Sequence, residues 1–202
     1  MAGTLTISNA QRKLSTLGLY AGAADGDCGP KTWAALFAHQ GARPDLAAQF
    51  GAAMAEYGRD IDTPLEVIYF LAQAGHETQG FRYLTEVGGP GYCSRYDCRK
   101  DLGNSRPGDG YRFRGRGIFQ ITGRANYLTM STKLGVDLLA EPARAAEPEI
   151  AIRTALEFWR SRGLGKLAAA DYGAEITQRI NGGQNGAVDR QTRAAKLKAL
   201  FA

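Results

Sequence analysis

Thr63-Pro64-Leu65-Glu66-Val67-Ile68-Tyr69-Phe70-Leu71-Ala72-Gln73-Ala74-Gly75-His76-Glu77-Thr78-Gln79-Gly80 reads as one buried helix with a marked start and a marked end. Thr63 is an N-cap, Pro64 suits the first helical position, and Glu66 three residues after the cap completes a capping box. Between Leu65 and Gly75 the apolar residues Val67, Ile68, Phe70, Leu71, Ala72 and Ala74 fall on nearly every side, so this helix runs through a core rather than over one. Gly80 is the expected exit, because glycine readily takes the left-handed conformation that ends helices.

Two glutamates bracket that exit. Glu86 follows Glu77 by nine positions, and nine residues of unbroken helix would separate them by about 13.5 Å on opposite faces. They act as a pair only if the chain leaves the helix between them. Cleaving a sugar–sugar bond asks for such a pair, a carboxylic acid to protonate the leaving oxygen and a carboxylate to activate water. Partial burial at the end of a core helix disfavours a charged carboxylate, which makes Glu77 the expected acid. Glu86, beside Gly88-Gly89-Pro90-Gly91, is expected on a flexible, wetter loop and is the expected base.

Metal chemistry has little to build on. A zinc-protease helix needs a second histidine four residues after His76, where Gly80 stands. With only His39, His76 and three scattered cysteines, spacing assembles no metal cluster, and no metal or other cofactor is expected.

Downstream lies Phe113-Arg114-Gly115-Arg116-Gly117-Ile118-Phe119-Gln120-Ile121-Thr122, continuing to Asn126-Tyr127. As a dinucleotide fingerprint it fails, since Gln120 stands where a third glycine is required. The arginines around it suit a solvated or phosphate-binding surface, but no groove-reading motif accompanies them, so nucleic acid is not an expected partner. Together with the Phe70–Phe81 block and Glu86, this stretch resembles the family 19 glycoside hydrolases, chitinase-like enzymes that include many endolysins. Arg179-Ile180-Asn181-Gly182-Gly183 is similar to a late loop of the same family. The resemblance implies a lysozyme-like, chitinase-like α-helical catalytic domain with a cleft, and an inverting mechanism. In it Glu77 would be the acid and Glu86 the base, with Thr122 helping to hold the attacking water. Gln120, Asn126, Tyr127 and Asn181 would line the sugar cleft, and a late arginine, Arg190 or Arg193, would tie the site together; Arg190 is counted with the substrate-binding residues. An inverting pair would stand roughly 6.5–9.5 Å apart.

Ahead of this lies a second pattern. Gln11-Arg12-Lys13-Leu14, Leu17-Gly18-Leu19-Tyr20 and Asp25-Gly26-Asp27-Cys28-Gly29-Pro30-Lys31-Thr32-Trp33 read as two short helices around a glycine-rich turn. Ser8 and Gln11 make a capping box, Gly18 ends the first helix, Pro30 opens the second and Gly41 closes it. The segment resembles the small helical peptidoglycan-binding module, though it is short for one and a third helix is missing or shared. Tyr20 and Trp33 are candidate surface contacts, but Trp33 shares an apolar stripe with Leu36 and Phe37, where packing is its expected job. The expected division is a helical module over residues 1–42 and a catalytic domain over 43–202.

Such a pairing implies an endolysin that hydrolyses β-1,4 bonds of bacterial peptidoglycan, muramidase-fashion. The alternatives are a chitinase, a lytic transglycosylase, and a wall-binding protein without catalysis. The remaining composition is compatible. The 202 residues suffice for a medium domain plus a small module. The alanine-rich chain with few β-branched runs points to a mainly α fold, with a helix opened by Glu147-Pro148 and ended by Gly163, another beginning at Asp189, and a loop over Gly88–Gly110. A net charge of +5 and pI near 9.2 suit an anionic partner without identifying it. No apolar run reaches membrane-spanning length, and Met1-Ala2-Gly3-Thr4-Leu5-Thr6 lacks the marks of a secretory signal. The expectation is therefore a monomer held in the host cytoplasm until release to the wall, without membrane insertion and with reduced thiols. Cys93 and Cys98 are close enough in sequence to bridge after release.

Overall fold

The computed structural model describes residues 4–202, so the first three residues of the N-terminal segment lie outside the described residues. In chain order the α-helices are α1 (Ile7–Thr16), α2 (Pro30–His39), α3 (Pro44–Tyr57), α4 (Pro64–Glu77), α5 (Pro90–Cys93), α6 (Asp109–Arg112), α7 (Arg124–Leu134), α8 (Pro148–Ser161), α9 (Leu164–Ala169), α10 (Gly173–Asn181) and α11 (Ala187–Phe201). Pairing of extended chain among the described residues is confined to the isolated antiparallel bridges Thr85–Arg116 and Arg116–Ile121. The fold is mainly α, as expected. No helix among the described residues is long and apolar enough to cross a membrane.

Two compact units share the chain: residues 1–82 with 156–202, and residues 83–155, the division falling inside α8. In the first unit α4 is the central rod, with every residue from Val67 to Gly75 buried. Phe70 packs edge-on against Trp159 at 5.5 Å between ring centroids, and α4 also rests on α9 and α11. Thr63 caps α4 by accepting from the Glu66 amide. The return half of the expected box is replaced by a Thr63 hydroxyl donating to the Glu66 carboxylate at 3.4 Å.

At its other end α4 stops at Glu77, and the chain turns sharply. Gln79, Gly80 and Phe81 take left-handed φ values of 51°, 72° and 63° in succession. The Gly80 amide reaches back to the Gly75 carbonyl at 2.7 Å, and the buried Thr78 hydroxyl accepts from the Phe81 amide at 2.8 Å. A non-glycine residue in this region costs on the order of 1–3 kcal/mol, so two of them persist only because their surroundings hold them. Phe81, 4% exposed, is clasped edge-on by Phe37 at 5.2 Å and Phe50 at 5.6 Å.

The N-terminal helices begin differently from expectation. Thr6, not Ser8, caps α1 by accepting from the Asn9 amide. Gln11 is fully buried and takes no part in a cap. Its amide group donates to Asp25 and to the Asp27 carbonyl, and its Oε1 accepts from Gly26, so it organises the turn before α2. Gly18, Pro30 and Gly41 act as expected at the helix ends, with Gly18 and Gly41 at φ 72° and 108°. Trp33 is 2% exposed and belongs to the core. Tyr20 is half-buried, its hydroxyl donating to the Ala23 carbonyl. α3 packs along α2.

The second unit has its own small core, in which Phe113, Ile121, Tyr127, Met130, Leu138 and Ile150 pack together. The Gly88–Gly110 stretch, expected as a loop, contains α5, the 3-10 turns Ser94–Tyr96 and Lys100–Leu102, and the start of α6. Polar bonds to and from Asp97 and Asn104 explain the difference. Asp97 accepts from the Gly108 and Gly110 amides, and Asn104 donates to the Tyr96 carbonyl. Cys93 and Cys98 are unbonded thiols, as is Cys28, whose burial pushes its pKa up to about 12.

Asp109 anchors this stretch. Burial pushes its carboxyl up, but the Arg124 guanidinium at 2.5 Å and the Ser105 and Arg106 amides outweigh burial and hold it below the usual carboxylate range. A depressed folded value means stabilisation present above the unfolded value, about 3.9, and lost as pH falls through the folded one. Asp109→Asn should therefore destabilise the protein at neutral pH and flatten the acid limb of a urea-midpoint profile.

Candidate active site

Glu77, the last residue of α4, is held by α11. Arg190 enters α11 one turn after its start and is 3% exposed; its Nη2 donates to Glu77 Oε1 at 2.5 Å and its Nη1 donates to the Gln73 side-chain carbonyl. Gln73 sits one turn before Glu77 and in turn donates to the Thr177 hydroxyl of α10 at 3.1 Å. A guanidinium buried this deeply requires acceptors, and its planar fork suits two at once. A second rung runs alongside: His76 Nδ1 and Asp189 Oδ2 are 2.8 Å apart, and Arg193 donates to the same oxygen at 2.8 Å. Of the two late arginines, Arg190 is the one that reaches Glu77. Its bonds to Glu77 and Gln73 are those of the late arginine expected to tie the site together.

Asn181 closes α10 in the same unit, exposed, with its amide donating to the Asn185 carbonyl at 3.3 Å. Its other hydrogen-bonding capacity faces solvent.

Glu86 belongs to the second unit and is far from the loose loop expected. The flanking backbone is paired on both sides, with Glu86 N donating to the Gly115 carbonyl at 2.8 Å and Gly117 N to the Leu84 carbonyl at 2.9 Å. Its carboxylate accepts from the Gly115 amide at 3.0 Å, the Tyr96 hydroxyl at 2.9 Å and Arg95 at 3.4 Å. Arg95 is itself stacked on the Tyr92 ring at 3.7 Å. The side chains of Glu77 and Glu86 are 22% and 19% exposed. Burial therefore does not separate acid from base, which overturns that part of the sequence argument; the difference lies in their partners.

Gly115 joins the rest of this half. A Cβ there would lie 2.6 Å from Gln120 Oε1 and 3.3 Å from Thr122 Oγ1, so any side chain would push Gln120 aside where it, Thr122 and the Glu86 carboxylate converge on Gly115. Gln120, at φ 46°, donates to the Gly117 carbonyl at 2.7 Å. Thr122 donates to the Gln120 carbonyl at 3.0 Å, which leaves its oxygen free to accept. Asn126 is exposed and donates to the Thr122 carbonyl at 2.7 Å. Tyr127 is a correction: it is wholly buried, donates to the Arg114 carbonyl and accepts from Arg116, each at 2.8 Å, and burial raises its pKa to about 12. It supports the block from beneath and touches no sugar. Arg112 and Arg114 are likewise tied to backbone carbonyls, so this arginine cluster is largely spent on structure.

Sequence reasoning missed Gln73, Tyr96, Arg95 and Asp189. Only Gln73 left a signal, as the one amide within an otherwise apolar helix.

The profile of the class I chitinases, glycosyl hydrolase family 19, matches residues 24–178. That span contains Glu77, Glu86, Gln120 and Thr122, while Asn181 and Arg190 lie beyond it. A family 19 domain-containing protein of Haemophilus influenzae is 31% identical over 149 residues, covering 60% of this chain and 72% of that protein. An Arabidopsis thaliana endochitinase is 36% identical over 123 residues, 59% of this chain but only 40% of its own length. Chitinase C of Streptomyces griseus superposes with a TM-score of 0.67 at 23% identity, covering 90% of this chain and 79% of that one. A class IV chitinase of Zea mays superposes at 0.58 with 22% identity, covering 95% and 91%. These superpositions establish the fold alone.

Two substitutions probe the anchors. Arg190→Lys keeps the charge but not the fork, and should lower kcat roughly 100-fold in a folded protein, the penalty of a misplaced acid. Tyr96→Phe removes one hydrogen bond to a charged group, worth about 1.5–3 kcal/mol. It should cost roughly 10-fold or more in kcat/KM, measured on a soluble oligosaccharide.

Proposed function

The chain belongs to the class I chitinase family, family 19 of the glycoside hydrolases, and from that membership we propose that it cleaves β-1,4 bonds between N-acetylated sugars of bacterial peptidoglycan with inversion. The observation that carries this reading is the contrast in how the two glutamates are held. Arg190 takes one oxygen of Glu77 and leaves the other to carry a proton to the leaving glycosidic oxygen. Glu86 instead has both oxygens engaged, Oε1 by Tyr96 and Arg95 and Oε2 by the Gly115 amide, the acceptor role of a carboxylate. As the glycosidic bond breaks, Glu77 gives its proton to the departing oxygen. Water attacks the anomeric carbon from the opposite face and passes its proton to Glu86. Thr122, its own proton engaged by Gln120, accepts the second hydrogen of that water and orients it. Proton exchange with solvent then resets both carboxyls. The amides of Gln120, Asn126 and Asn181 are suited to N-acetyl and hydroxyl groups.

Peptidoglycan is favoured by the likeness of residues 5–42 to a wall-binding module and by the net charge of +5, which suits an anionic envelope. In this reading the protein is an endolysin, a monomer kept in the host cytoplasm until release, whose natural partner is the cell wall. Chitin is the second reading, because several of the similar proteins are endochitinases.

Fragments released from purified peptidoglycan, analysed by mass spectrometry, test both. The expected products carry an ordinary reducing end. An anhydro end points instead to a lytic transglycosylase, and cleavage of chitin oligomers with intact peptidoglycan points to a chitinase. Glu77→Gln and Glu86→Gln should each abolish lysis. Near-full lysis by Glu86→Gln removes the two-acid mechanism, while binding without clearing by the unaltered protein removes catalysis altogether.

A further inference from the structure

We propose that residues 5–42, besides any contact with the wall, form the rear support of the catalytic acid, so that catalysis on soluble substrate depends on them. The proposal rests on Glu77 as the acid and does not depend on which polymer is cut. Two independent contacts carry it, one at each side of Glu77.

The first is at the left-handed turn that follows Glu77. The end of α2 lies directly against it: a Cβ on Gly41 would lie 3.3 Å from the Gly80 carbonyl, and a Cβ on Gly80 would lie 3.3 Å from the Gln40 carbonyl. Phe37 of α2 meets Phe81 edge-on at 5.2 Å. Phe81, a non-glycine residue at positive φ, is packed from this side in addition to the local bonds from Gly80 to Gly75 and from Phe81 to Thr78. Gln40 continues the contact, accepting from Arg193 of α11 at 3.4 Å.

The second is at α11, the helix that supplies Arg190. Its last turn is gripped by α1 and the residue before it. The Thr6 amide donates to the Phe201 carbonyl at 2.9 Å, Asn9 donates to the Phe201 and Ala202 carbonyls at 3.2 and 3.0 Å, and Lys13 donates to the Ala199 carbonyl at 2.7 Å. These bonds satisfy carbonyls that end a helix without intrahelical partners. The turn carrying the acid and the helix carrying its anchor are thus both held from the same N-terminal segment. A detachable binding module would hold neither.

The test uses the full chain with Gly41→Ala, Phe37→Ala and the milder Phe37→Leu, each checked for folding by thermal denaturation and near-ultraviolet circular dichroism. Turnover is measured on a soluble β-1,4-linked N-acetylglucosamine hexamer and on soluble glycan strands from peptidoglycan, alongside pelleting with insoluble walls. The expected result is a fall in kcat of roughly 10- to 100-fold for Phe37→Ala and Gly41→Ala on whichever polymer is cleaved, with KM nearly unchanged and pelleting retained. Phe37→Leu, which keeps most of the packed volume, should recover most of the loss. Wild-type kcat in the folded variants overturns the proposal, and so does a loss confined to KM or to pelleting. Glu77→Gln run in parallel separates this failure from failure of the acid assignment, since retained turnover there removes the acid itself.

Discussion

The buried guanidinium of Arg190 is the constraint on which the first unit turns. A cation with 3% of its surface exposed is tolerable only with its acceptors in place, and removing one partner from such a pair is strongly destabilising. Gln73 and Glu77, one helical turn apart on α4, supply those acceptors together. The register of α4 against α11 is therefore set by charge as much as by packing. The parallel rung from His76 to Asp189 repeats the same spacing one residue earlier on each helix. The carboxyl proposed as the acid is thus part of the scaffold.

What the sequence discloses of this arrangement follows the range of the forces involved. Local signals were readable: Thr63-Pro64 at the start of α4, the break at Gly80, the stops at Gly18 and Gly41, the burial of Trp33. Each depends on residues within a turn or two of one another. Tyr96 and Gly115 as partners of Glu86, and Arg190 as partner of Glu77, are separated from them by 10, 29 and 113 positions. No periodicity reports such pairs. Arg190 was named beside Arg193 only because a family resemblance pointed to a late arginine.

The glycine-rich surroundings of Glu86 misled for a physical reason. Glycines usually signal loose chain, yet a Cβ at Gly115 would crowd Gln120 and Thr122, and its amide is one of the donors to the carboxylate. Gly117, at φ 78°, likewise lies where a Cβ would be 3.1 Å from Thr154. Composition alone does not distinguish a glycine that frees the backbone from one that lets two groups meet. Tyr127 differs in the opposite sense, since its place next to Asn126 suggests a cleft contact while its ring fills the core below.

The three thiols have a bearing on redox chemistry. Thiolate is the form that forms disulfides, and burial pushes the Cys28 thiol up to about 12, away from that form. Cys93 is completely buried, and burial raises its pKa as well. Only Cys98 is exposed. The helices are held by packing and caps, and the two glutamates by hydrogen bonds and ion pairs. The bonds that hold Glu77 and Glu86 come from Arg190, Tyr96, Arg95 and the Gly115 amide, so no thiol takes part in them.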